Sequence, residues 1–184
     1  DLRGKRVAVG APKSGTELNA RALFKAAGMS YDDFAKVEYL SFGQSVELMK
    51  NRQIDATLVS AGLGVAAVKD LSTNIAIRLI PISPEVIAKV GDSAYQPSTI
   101  PANTYSGQTE AVPTAAIRNI LVTSSDVSDQ DAYTMTKELF AQLPALHAAH
   151  KATLAIDPKT AALGVPVPLH PGAERYYREA GLIQ

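Results

Sequence analysis

Val7-Ala8-Val9-Gly10-Ala11-Pro12-Lys13-Ser14-Gly15-Thr16-Glu17 reads as a buried strand that breaks into a loop of small residues and then starts a helix. Arg6 to Val9 end the strand, and Gly10 to Lys13 turn the chain. Ser14 and Glu17 fit the S-x-x-E capping box, which satisfies amides that a helix leaves free in its first turn. Ala20, Leu23, Phe24 and Ala27 then recur at helical spacing, and Gly28 is a C-terminal stop. Free amides at the head of such a helix, with its partial positive charge, favour a carboxylate or a phosphate. The same residues also suit a purely structural cap.

The loop excludes some chemistry. Gly10 to Gly15 has the spacing that opens a phosphate-binding loop, but Thr16 stands where that loop needs Lys, and no G-x-G-x-x-G occurs. Nucleotide binding therefore has no motif behind it.

Further along, Val37 to Leu40 form a second strand. Ser41 with Gln44 repeats the capping box before a short helix bearing Val46, Leu48 and Met49. Ile54 to Val59 is a third strand, and Ser60-Ala61-Gly62-Leu63-Gly64 opens a helix with Val65, Val68 and Leu71. Ala76 to Ile82 reads as a fourth strand. Strands alternating with helices at this spacing predict right-handed crossovers and a mostly parallel, doubly wound α/β sheet. Ligands of such sheets sit beyond the carboxyl ends of the strands, where strand order reverses. Ser14 to Glu17 and Ser60 to Gly62 are the loops expected to flank that point. Two facing helix N-termini suit a carboxylate-bearing ligand, while a plain helix start with small residues for close packing is the structural reading of Ser60 to Gly62.

Pro84 to Val90 is a short helix, and Ser93 to Thr109 is irregular, broken by Pro97, Pro101, Asn103 and Gly107. Tyr95 and Tyr105 either meet a solute or are core tyrosines with their hydroxyls at the rim. Ala115 to Val122 is expected to be a strand that leaves the first sheet for another. Ser128 to Ala149 is a long helix interrupted at Pro144, Ala161 to Leu169 is extended, and Pro171 opens a last helix. His147 and His150, without a third ligand near in sequence, read as a solvated pair and not as a metal site.

The 184 residues carry 18 acidic and 18 basic side chains, and the basic ones do not cluster with aromatics, which argues against nucleic acid as a partner. Without cysteine there is no disulfide, thiol nucleophile or thiolate metal site. No apolar run has the length of a membrane span, and no cofactor motif occurs. The absence of a G-x-S-x-G elbow or a metal-ligand cluster, and the placing of all three histidines in the C-terminal part, weigh against an enzyme.

Four motifs carry a family resemblance: Gly10 to Glu17, Gln53-Ile54-Asp55-Ala56, Ile100-Pro-Ala-Asn-Thr-Tyr-Ser-Gly-Gln108 and Pro168-Leu-His-Pro-Gly-Ala-Glu-Arg-Tyr-Tyr177. With Asp1 to Gly10, which is similar to the stretch entering the second lobe of type 2 periplasmic solute-binding proteins, they resemble the TAXI family of TRAP-transporter receptors along essentially the whole chain. The resemblance implies a two-lobed binding protein outside the cytoplasmic membrane. Such a protein hands an organic anion, often an amino acid or dicarboxylate such as glutamate, to the membrane subunits of a TRAP permease. It places the solute carboxylate at Ser14, Gly15, Thr16 and Glu17; the loop reading above adds Ser60, Ala61, Gly62 and Tyr105 as further ligand-binding candidates. Residues 1–112 are expected to be a complete second lobe. Residues 113–184 are expected to be a hinge strand and C-terminal helices returning to the first, whose unpaired apolar faces dock on the remaining lobe or drive self-association. The competing readings are an effector-binding domain of a cytoplasmic regulator and an enzyme on the same scaffold.

Overall fold

β1 (Arg6–Ala8) is the middle strand of a parallel three-stranded sheet, between β2 (Lys36–Glu38) and β3 (Ala56–Thr57). The computed structural model describes residues 2–184, so the Asp1 end of the first motif lies outside the described residues. Register places Val7 opposite both Val37 and Ala56. Because side chains alternate along a strand, Val7, Val9, Val37, Ala56 and Leu58 gather on one face. There they meet Ala20 and Phe24 of α1 (Gly15–Ala26) together with Phe34, and this is the core. Phe24 and Phe34 meet edge to face, 5.0 Å between ring centres.

The chain runs from β1 through α1 to β2 on one side, then returns past β1 through α2 (Phe42–Lys50) to β3 on the other. Right-handed crossovers in opposite directions put α1 and α2 on opposite faces, the doubly wound arrangement. Accordingly α1 packs with α4 (Pro84–Val90), and α2 packs with α3 (Ala66–Asn74). The S-x-x-Q box of α2 is complete: Ser41 Oγ accepts from Gln44 N, and the Gln44 side chain accepts from Ser41 N at 3.0 Å.

Three expectations for the middle of the chain are corrected. Ala76 to Ile82 is not a strand; its end is tied by Ile82 N donating to Pro113 O at 3.0 Å. The segment expected to be irregular contains β4 (Tyr95–Ile100), which pairs antiparallel with β5 (Val112–Ile117), and the run from Ala115 to Val122 is a strand only as far as Ile117. Proline hid this hairpin. Register sets Pro97 opposite Ala115 and Pro113 opposite Thr99, so both prolines fall in pairs of the same kind. Since the Pro113 carbonyl faces outward to Ile82, these are the pairs whose backbone groups point away from the partner strand. Neither missing N–H is needed.

The chain divides into two compact units, Asp1–Ile117 and Arg118–Gln184. The second is helical: α5 (Asp129–Ala141), α6 (Leu143–Ala149), α7 (Pro158–Ala161) and α8 (Pro171–Glu179). The break at Gln142 gives Pro144 the second position of a new helix, where its missing amide costs nothing. α7 reaches the segment expected to be extended only at its first residue, Ala161, and forms because Asp157 accepts from Lys159 N and Pro158 occupies the first turn. α5 and α8 pack at Gly172, where a methyl group would overlap the Asp129 carbonyl and come within 2.8 Å of Tyr133 N. The His170 ring holds the head of α8: Nδ1 accepts from Gly172 N at 3.2 Å, which leaves Nε2, 3.1 Å from Val127 O, as the donor.

Candidate functional site

The order β2-β1-β3 reverses direction between β1 and β3, so the loops leaving these two strands border the crevice at their carboxyl ends. Gly10 makes the first loop possible. It has φ +101°, and a β-carbon there would lie 2.7 Å from Cβ and Cγ2 of Thr16. The loop therefore folds directly over the first turn of α1.

At the head of α1, Ser14 Oγ accepts from Glu17 N at 3.2 Å, and Ser14 N donates to Ala11 O at 3.1 Å. Among the described residues nothing accepts from the amides of Gly15 and Thr16, and Gly15 is exposed. These amides and the positive end of the helix can take an anion. Lys13, exposed and held at φ 59°, is the cation of this loop.

The capping box of α1 is only half made, which corrects the expectation for Glu17. Its carboxylate turns away from Ser14 to pair with Arg21 and to accept from the Tyr31 hydroxyl at 3.2 Å, and the Arg21 guanidinium lies 4.8 Å over the Tyr31 ring. Glu17 is buried, and burial followed by the nearby Glu17 charge pushes the Tyr31 phenol up. Thr16 is also buried, its methyl packed beneath Gly10. Of the four residues expected in this loop, Ser14 and Gly15 face solvent, while Thr16 and Glu17 support them from below.

The loop after β3 departs from its expectation too. Ser60, Ala61 and Gly62 are exposed, but α3 begins only at Ala66, behind Gly64 with φ +76° and a Val65 cap that offers no side-chain bond. Ser60 to Gly62 are a loop and not a second helix head. The loop is nonetheless fixed. Gly64 N donates to the Tyr105 hydroxyl at 3.2 Å, and Tyr105 is itself buried, with Ser106 N donating to Ser72 Oγ at 3.3 Å. Gln108 holds the loop that carries Tyr105, its Nε2 donating to Pro101 O at 2.9 Å and Glu110 O at 2.8 Å. Tyr105 is thus a core tyrosine with its hydroxyl at the rim.

Asn19 of α1 ties the loop after β3 to Tyr95 of β4. Its Nδ2 donates to Ser60 Oγ at 2.9 Å, and its Oδ1 accepts from the Tyr95 hydroxyl at 2.9 Å. No local pattern marks Asn19 as functional, since its partner lies 41 positions away and only the fold brings them together.

In the second unit His147 is half-buried, with an Nε2 atom that is out of contact with solvent and has no partner among the described residues, while exposed His150 accepts from Ala152 N at 3.1 Å. They are not the solvated pair expected. Among the described residues no group of three His, Asp or Glu side chains could hold a metal ion, and no helix is long and apolar enough to cross a membrane. The sequence matches the family described as the NMT1-like family over residues 1–181.

Proposed function

The chain belongs to the NMT1-like family, whose members are related to periplasmic binding proteins, and we propose that it is an extracytoplasmic receptor for a small organic anion. Its fold is the α/β fold of that class and its function is of the solute-binding kind. On this reading the solute is an amino acid or dicarboxylate such as glutamate. Its carboxylate sits on the free amides of Gly15 and Thr16, within reach of the Ser60 loop, and the receptor delivers it to the membrane subunits of a TRAP permease without chemical change. Burial of the solute in the crevice supplies affinity, and the helix terminus fixes the anionic end.

The observation that carries this reading is the pair of unsatisfied amides at the head of α1, lying at the point where strand order reverses. Glu17 is not the counter-charge for an ammonium group, because Arg21 and Tyr31 occupy its carboxylate. Amide NMR titration of the chain with glutamate, glutamine and a C4 dicarboxylate tests the proposal. Saturable shifts are expected at Gly15, Thr16 and Ser60 to Gly62 with at least one of the acids. Shifts confined to residues 118–184 would move the site, and silence with all three would overturn the anion reading.

A further inference from the structure

We propose that Tyr95, acting through Asn19, orients the Ser60 hydroxyl as a hydrogen-bond donor to the solute, so that the loop after β3 selects an acceptor oxygen. The inference rests on the receptor reading above and adds to it two positioning residues and a direction.

The direction follows from what each group can do. A phenol donates more readily than it accepts, because its lone pairs are drawn into the ring, so the Tyr95 hydroxyl gives its proton to Asn19 Oδ1 at 2.9 Å. That fixes which end of the amide faces the other way. Asn19 Nδ2 then points at Ser60 and donates to its Oγ, also at 2.9 Å. A serine hydroxyl has a single proton, and with one lone pair held by Asn19 that proton must go elsewhere. Among the described residues Ser60 Oγ donates to nothing, and Ser60 is exposed at the carboxyl end of β3. The chain of bonds therefore ends in a proton offered at Ser60, which is bonded to Asn19 one turn of α1 beyond the Gly15 and Thr16 amides. A carboxylate or carboxamide oxygen satisfies it, whereas an ammonium group can use only the remaining Ser60 lone pair and leaves that proton without an acceptor.

Three measurements on the full chain test this. The first needs no ligand. In the wild type the Asn19 side-chain amide protons should show strong NOEs to the Ser60 β protons, and these should weaken in Tyr95→Phe, where the amide is free to turn over. Stronger NOEs to the Tyr95 ring protons in the wild type would mean that the relay runs backwards, and would overturn it whatever the solute. The second is a double-mutant cycle with Tyr95→Phe and Ser60→Ala, read by NMR titration with glutamate and a C4 dicarboxylate. Each single variant should bind about tenfold more weakly, as expected for loss of a hydrogen bond to a charged group, and the double variant should be no weaker than Ser60→Ala alone. Additive losses would reduce Tyr95 to a structural prop and sink the proposal. Asn19→Asp gives a third check: a carboxylate can only accept, so it draws the Ser60 proton to itself and should weaken binding as much as Ser60→Ala. If no probe binds the wild type while the NOEs stand, it is the anion reading that fails, and Ser60 donation to a solute falls with it; additive losses in a wild type that does bind would overturn the relay alone.

Discussion

Asp55 shows how one side chain can join two strands. Its Oδ2 accepts from Arg6 N at 2.9 Å and Arg6 Nε at 3.0 Å, and its Oδ1 accepts from Arg6 Nη2 at 2.7 Å, so the approach to β3 is tied to the first residue of β1. These bonds to the Arg6 guanidinium and backbone amide hold the Asp55 carboxyl well below the usual carboxylate range. A lowered folded pKa means that the unfolded chain takes up the proton first as pH falls. The stability contributed by Asp55 is present in full above the unfolded value of about 3.9 and is lost as pH drops below it. The difference in urea midpoint between the wild type and Asp55→Asn should accordingly narrow between about pH 6 and about pH 3; a constant difference would mean that the ionised carboxylate contributes nothing. Legibility in the sequence is uneven at this scale. Ser14 as a cap could be read because its partner is three residues on, whereas Glu17 was assigned to the same cap and is instead drawn off by Arg21 and Tyr31. Asn19 could not be read at all, since neither of its partners is local.

Among the elements, α5 and α8 are held closest where Gly172 meets the Asp129 carbonyl. Around that contact Tyr133, Phe140, Tyr176 and Tyr177 form an aromatic cluster, with Phe140 stacked on Tyr176 at 5.8 Å and the Arg175 guanidinium 4.3 Å over Tyr133. A side chain at position 172 would have to force the two helices apart. Gly172→Ala should cost about 2 kcal/mol or more by overpacking. Hydrogen exchange should register the loss in α5 and α8 and leave β1 and α1 unchanged; unaltered protection in α8 would show that the helices separate freely. Helices with both a period and a side-chain cap, such as α1, α2 and α4, are legible locally, and α3 is legible without a side-chain cap. The strands misplaced in the middle of the chain were decided by distant pairing. The segment from Ala76 has the composition of a strand but does not join the ladder, whereas Tyr95 to Ile100 looks broken by proline and yet is one.

Over the whole molecule the two units are unequally buried. The first encloses Val7, Ala8, Val9, Ala20, Leu23, Phe34, Val46, Ile54, Leu71 and Ile87, while among the described residues the buried apolar side chains of the second are Ala132 and Tyr177. Leu121 and Val122 are 72% and 67% exposed. Stability follows burial, so the amides of α5 and α8 should exchange through openings of lower free energy than those of β1 and α1. Equal protection across both units would mean that the chain opens as one body. The α/β alternation, and with it the reversal of strand order beside the candidate site, was legible because each strand carries its own apolar run. The hairpin of β4 and β5 was not, since its signature is one that proline conceals. Those prolines also bear on how copies of the protein behave beside one another. A slip of one residue in the hairpin must turn one strand over, bringing Pro97 or Pro113 to face a neighbour that requires an amide, so misaligned pairing is penalised before it starts. The outer border of β4 lacks a donor at Pro97 for the same reason, which makes it a poor template for a strand from another molecule and guards crowded copies of the protein against stacking into fibres.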